Sequence, residues 1–168
     1  MMARAGLLLA LATAACSPRE PAPVATPAAS SAELGGPAVT LERTPCFGTC
    51  PVYTVAISRS GVVRFTGKHH VLRTGEATAT IPSARVDSLL AELAAGGYFE
   101  FADAYMMDSP ACGMYATDSP TVITSATRDG LTKTIRHDRG CSAAPPELSR
   151  LEQRIDEVAG TGRWTGKE

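Results

Sequence analysis

Aromatic side chains are scarce in this chain, 5% of 168 residues. That is too few for a broad stacking platform to hold bases or sugars. An excess of one charge is lacking too: 16 Lys and Arg against 17 Asp and Glu leave a formal net charge of −1. This excludes a basic footprint for nucleic acid and a polyanionic character. The apolar run Gly6 to Ala12 is far short of the ~20 residues that span a bilayer. There is no phosphate loop and no dinucleotide fingerprint. No serine sits in a nucleophile-elbow context. The expectation is a chain with no catalytic residue, no bound cofactor and no metal ligands.

What is present begins at the start. Arg4 precedes the apolar stretch, and Thr13-Ala14-Ala15-Cys16 follows it. A positive start, a short greasy stretch and small residues form a secretory signal. The segment resembles the lipobox of bacterial lipoproteins, with Cys16 as the lipidated residue. Thr13 stands where that pattern usually has Leu, Val or Ile. Ala12-Thr13-Ala14 also fits an ordinary secretory peptidase, which would leave a soluble secreted or periplasmic protein. The expected domains are a signal peptide over 1–15, a Pro/Ala/Ser-rich tether over 16–38 and one globular domain over 39–165. The expected location is extracytoplasmic, lipid-anchored to the bacterial membrane through Cys16, with an envelope protein as partner and no nucleic acid. Ser17 resembles the signal for outer-membrane sorting, facing the periplasm, in a Gram-negative host.

Five cysteines are present. With Cys16 lipidated, Cys46, Cys50, Cys112 and Cys141 remain, an even number that reads as two disulfides in an oxidising compartment. Three connectivities are open. Cys46–Cys50 and Cys112–Cys141 is the favoured one: Gly48 lets the first loop turn, and the second bridge ties the ends of a predicted hairpin.

The pattern from Val39 onward predicts an α+β fold. Val39 to Arg43, Val52 to Ser58, Val62 to Gly67 and Glu76 to Ile81 read as strands, with His69 to Leu72 as an extension of the third. Ser60-Gly61 marks a hairpin turn. Val86, Leu89, Leu90 and Leu93 form the apolar stripe of a helix that opens at Pro82-Ser83, has Asp87 in or near its first turn, and stops at Gly96-Gly97. Tyr98 to Tyr105 carries four aromatics and reads as a core plug. Thr121 to Thr127, Asp129-Gly130 and Leu131 to His137 predict a second hairpin. A second helix bears Leu148, Leu151, Ile155 and Val158, and ends at Gly160, with Trp164 beyond. The expected architecture is an antiparallel sheet built from hairpins, both helices on one face, with an internal ββα duplication.

The densest motif runs Arg43-Thr44-Pro45-Cys46-Phe47-Gly48-Thr49-Cys50-Pro51-Val52-Tyr53. With Gly61, Tyr98 to Tyr105, Thr117-Asp118-Ser119-Pro120 and Arg163-Trp164, it resembles a bacterial domain-of-unknown-function family, numbered 6438, of secreted proteins and lipoproteins. The resemblance covers about residues 39 to 165. It implies an envelope setting and no activity.

The remaining polar residues read mostly as structural. Three residues separate Cys46 from Cys50, a spacing unlike Cys-x-x-Cys redox sites and within the range of zinc ligands. His69 or His137 would be the further ligands. His69 and His70 are adjacent on a strand and so point to opposite faces. His137 with Asp138 has the form of a base and its orienter. Asp103, Asp108 and Asp118 lie in the loop-rich middle with Tyr105 and Tyr115, and Asx-turns account for Asp108 and Asp118. The expected function is a non-catalytic binding or interaction module of the envelope. The alternative is a thiol-redox or metal-binding protein using the Cys46/Cys50 loop.

Overall fold

The computed structural model describes residues 36–166. The signal, the Cys16 lipidation and most of the tether lie outside the described residues. The elements are β1 (Val39–Arg43), β2 (Val52–Ile57), β3 (Val62–His69), β4 (Gly75–Thr80), α1 (Ser83–Ala95), β5 (Ala104–Tyr105), β6 (Thr121–Arg128), β7 (Leu131–Asp138), α2 (Pro146–Ala159) and α3 (Gly162–Thr165). The strands form one sheet in the order β4-β3-β2-β1-β6-β7-β5. Every neighbouring pair is antiparallel except β5 with β7. The α+β architecture is as the sequence predicts.

Alternation along the strands sorts the side chains. Val39 and Leu41 of β1, Val55 and Ile57 of β2, Val63 and Phe65 of β3, and Val122 and Ala126 of β6 are buried. Thr40, Glu42, Thr54 and Thr66, at the positions between, are half-buried and face the other way. The register aligns one transverse row on the buried face: Tyr53, Arg43, Val122, His137 and Tyr105 on β2, β1, β6, β7 and β5. Both long helices pack on this face. Val86, Leu89, Leu90 and Leu93 of α1 share a core with Leu148, Leu151, Ile155 and Val158 of α2. Arg154 of α2 holds Glu92 of α1 with two hydrogen bonds, 2.6 and 3.2 Å.

Local chemistry sets the boundaries. Asp129 and Gly130 both have positive φ, 51° and 80°, as the tight β6–β7 hairpin demands. The chain leaves α1 in a Schellman turn: Tyr98 N–H donates to Leu93 O and Gly97 N–H to Ala94 O, with Gly97 at φ 77°. Asp87 falls beyond the first turn of α1, which has no acidic residue, whereas Glu147 occupies that place in α2. β3 ends at His69 rather than continuing to Leu72, because His70 turns to φ 53°. The aromatic plug contains β5: Tyr98 and Tyr105 are buried, while Phe99 and Phe101 are half-buried. Hairpin followed by helix recurs along the chain, with β4 inserted only in the first half. The hairpins β2–β3 and β6–β7 flank β1, which pairs with both.

Candidate functional site

Four loops converge at the end of the sheet where β1 finishes: residues 44–51, 70–74, 106–120 and 139–145. The chain enters β1 at the opposite end. Both disulfides form at the loop-bearing end with the favoured connectivity. Cys46 and Cys50 have Cα atoms 5.8 Å apart, and Cys112 and Cys141 4.5 Å. Phe47 is 87% exposed at the tip of the first loop, and Leu72, Met107 and Met114 are exposed on the second and third. The Phe47 N–H donates to Asp118 O, which joins the motif loop to the 106–120 loop.

A cleft of about 840 Å³ opens beside the motif, between the ends of β1 and β2 and the α2–α3 junction. Its wall is built on Asp156 of α2. Oδ2 accepts from Arg43 Nε at 2.9 Å and Nη2 at 2.6 Å. Oδ1 accepts from the Tyr53 hydroxyl at 2.7 Å and the Thr161 hydroxyl at 2.9 Å. Arg43 Nε also donates to Tyr53 Oη at 3.0 Å. Burial, and next the Asp156 charge, push the Tyr53 phenol well above its ordinary value. Burial alone would lower the Arg43 guanidinium, but Asp156 and Tyr53 outweigh it and the net shift is upward. Tyr53 leans on Phe65, and Phe65 stacks on Trp164 with centroids 4.9 Å apart, so ring packing braces the cleft floor.

A second carboxylate sits one turn earlier on α2. Glu152 is 1% exposed, and its Oε1 lies 2.7 Å from His137 Nδ1. Its Oε2 has no hydrogen-bond partner among the described residues, and Arg139 Nη1 stands 3.7 Å away. The orienter of His137 is thus Glu152 and not the adjacent Asp138. Asp138 accepts instead from Gly140 N–H at 2.8 Å and the Tyr115 hydroxyl at 3.1 Å. Strand geometry requires this, because neighbouring side chains leave opposite faces.

Other candidates are brought together only in part. His69 and His70 border a pocket of about 100 Å³ against Cys46 and Cys50. The two sulfurs are bonded to each other, which removes the thiolates a metal or redox site needs. Among the described residues no three His, Cys, Asp or Glu converge as a metal site. Asp103 pairs with Lys133. Asp118 takes φ 71° and accepts from the Thr117 hydroxyl, and at the other turn the Ser109 hydroxyl donates to Ala104 O and accepts from Ala111 N–H.

The residues that sequence reasoning missed are Asp156, Glu152 and Thr161. Their signal is present: Glu152 and Asp156 each follow a core residue, Leu151 and Ile155, on a helix whose apolar face is clear. Carboxylates at the edge of a buried stripe need basic or hydroxyl partners. No curated protein matches the chain. The model of one family, described as "Domain of unknown function (DUF6438)", matches residues 37–159. That range holds Arg43, Tyr53 and Asp156, and stops short of Arg163-Trp164. With most of its length matched, the chain belongs to the DUF6438 family.

Proposed function

We propose that the chain is an extracytoplasmic, membrane-tethered, non-catalytic binding module of the bacterial envelope, with its lipid on Cys16. The observation that carries this reading is the saturation of Asp156. A carboxylate has about four lone-pair directions. Arg43 Nε, Arg43 Nη2, Tyr53 and Thr161 occupy four. Such a group is a fixed wall and has no direction left to act as a base. Two disulfides on the surrounding loops support an oxidising compartment. The tether would meet β1 at the end away from Phe47, so the motif loop is presented outward.

The test is a photo-reactive side chain placed at Phe47 or at Leu131 in the full chain, irradiated in its native envelope. Leu131 is exposed at the tether end and serves as the control. A discrete adduct from Phe47 and none from Leu131 is expected. No adduct from Phe47, or the same adducts from both, would overturn the reading. The thiol-redox or metal alternative draws on the proximity of His69 and His70 to the Cys46–Cys50 loop. It requires free thiols, which alkylation followed by intact mass detects. The same mass reports the lipid on Cys16.

A further inference from the structure

We propose that the cleft beside the motif is an oxyanion site, for a carboxylate or phosphoryl group, formed by Arg163 and the free edge of Arg43. The inference deepens the binding-module reading and rests on it for the use of the site. Its starting point is the way Arg163 is held. Nε donates to Gly160 O at 2.8 Å. The guanidinium carbon stands 5.0 Å from the Trp164 ring centroid. The group also sets its Nε/Nη2 edge against Gly160, where an added Cβ would meet Nη2 at 2.1 Å. Gly160 is at φ 66°, the left-handed C-cap of α2, so glycine is favoured there on both counts. An exposed arginine is thus fixed by a carbonyl, a ring and a bare backbone, none of them acidic. Its two terminal nitrogens have no hydrogen bond among the described residues.

The charges around it are already spoken for. Asp156 is matched by Arg43. Glu157 accepts from Arg154 at 3.2 Å and from Gln153 at 3.1 Å. Arg163 is the cleft cation with no acidic partner among the described residues. Arg43 spends Nε and Nη2 on Asp156 and leaves Nη1 without a bond among the described residues. Guanidinium groups match carboxylate and phosphate oxygens in a planar fork. A pre-fixed fork loses little conformational freedom on binding. The cleft volume of about 840 Å³ suits a small ligand or the end of a short chain.

The experiment is an NMR titration of the ¹⁵N-arginine-labelled full chain in detergent, reading the arginine Nε–H signals. The probes are acetyl-trialanine, its C-terminal amide and inorganic phosphate. A saturable shift of the Arg163 signal with at least one oxyanion, and none with the amide, is expected. Response to trialanine alone assigns a carboxylate ligand, and response to phosphate alone a phosphoryl ligand. Arg163→Gln should weaken binding at least about tenfold, read on the Arg43 signal, in a protein that still melts cooperatively. No saturable shift with either oxyanion, equal response to the amide, or unaltered affinity in Arg163→Gln would overturn the proposal. A Phe47 adduct without anion binding removes this inference alone. Anion binding without an adduct removes the partner-binding reading alone.

Discussion

The two flanks of β1 solve one problem in two ways. On each, a carboxylate of α2 meets a base on the same transverse row of the sheet: Asp156 meets Arg43, and Glu152 meets His137. Each flank has a tyrosine on that row and one disulfide at its loops. Asp156 keeps 15% of its side chain exposed, at the cleft, and is fully hydrogen-bonded. Glu152 is 1% exposed beside His137 and leaves one oxygen without a hydrogen bond among the described residues. Burial of a charge is costly, and the cost falls as the hydrogen bonds around it are completed. The Arg43 flank is therefore suited to face a ligand, while the His137 flank holds the sheet to the helix.

Breaking the sealed pair should have the largest effect. His137→Leu leaves Glu152 buried without its base, and should cost about 3–5 kcal/mol of stability in urea unfolding. His137→Leu with Glu152→Leu should cost much less than the sum of the single losses. Additive losses would show that the two side chains are not coupled.

The disulfides extend the comparison. Cys112–Cys141 spans 29 residues, and its removal should cost about 3–4 kcal/mol by chain entropy. Cys46–Cys50 spans 4, and the same reasoning gives about 2 kcal/mol. Cys46→Ser and Cys50→Ser should each reach that loss, with little more in the double variant. Equal losses for the two bridges would put local loop strain above chain entropy.

The open pair should be cheaper to break. Asp156→Asn keeps the side-chain shape and removes the charge, for about 2 kcal/mol. A loss matching that of His137→Leu would erase the distinction between the flanks.

The smallest expected effect appears at high pH. Burial raises the phenols of Tyr53 and Tyr98 above the unfolded value of about 10. Stability is then intact below about pH 10 and falls above it, because the unfolded chain ionises first. Each tyrosine should contribute a slope of about 1.4 kcal/mol per pH unit there. Tyr98 donates to the Thr124 hydroxyl at 2.8 Å in the core. Tyr98→Phe should flatten the alkaline slope, and an unchanged slope would reject burial as its cause.

Local pattern made much of the fold legible. The α1 stripe Val86, Leu89, Leu90 and Leu93 is buried as its spacing requires. The two hairpins follow from Ser60-Gly61 and Asp129-Gly130. The central place of β1 is set by long-range pairing, and its five residues carry no mark of having two partners. β5 is two residues long and parallel, so no alternation precedes it. The site was half legible. Arg43 and Tyr53 stand in the motif, but their carboxylate is more than a hundred positions away in sequence. Periodicity counts apolar residues, and so it passes over a Glu152 or Asp156 at the edge of the stripe.

The position of β1 has a mechanical consequence. It is the first strand after residue 36, and it is bonded along its whole length to β2 on one side and β6 on the other. A pull on the chain from its N-terminal side would load β1 along its own axis. The two ladders would then be sheared together instead of being unzipped one bond at a time. Traction from a surface anchor would fall on a strand that is held on both sides at every one of its residues.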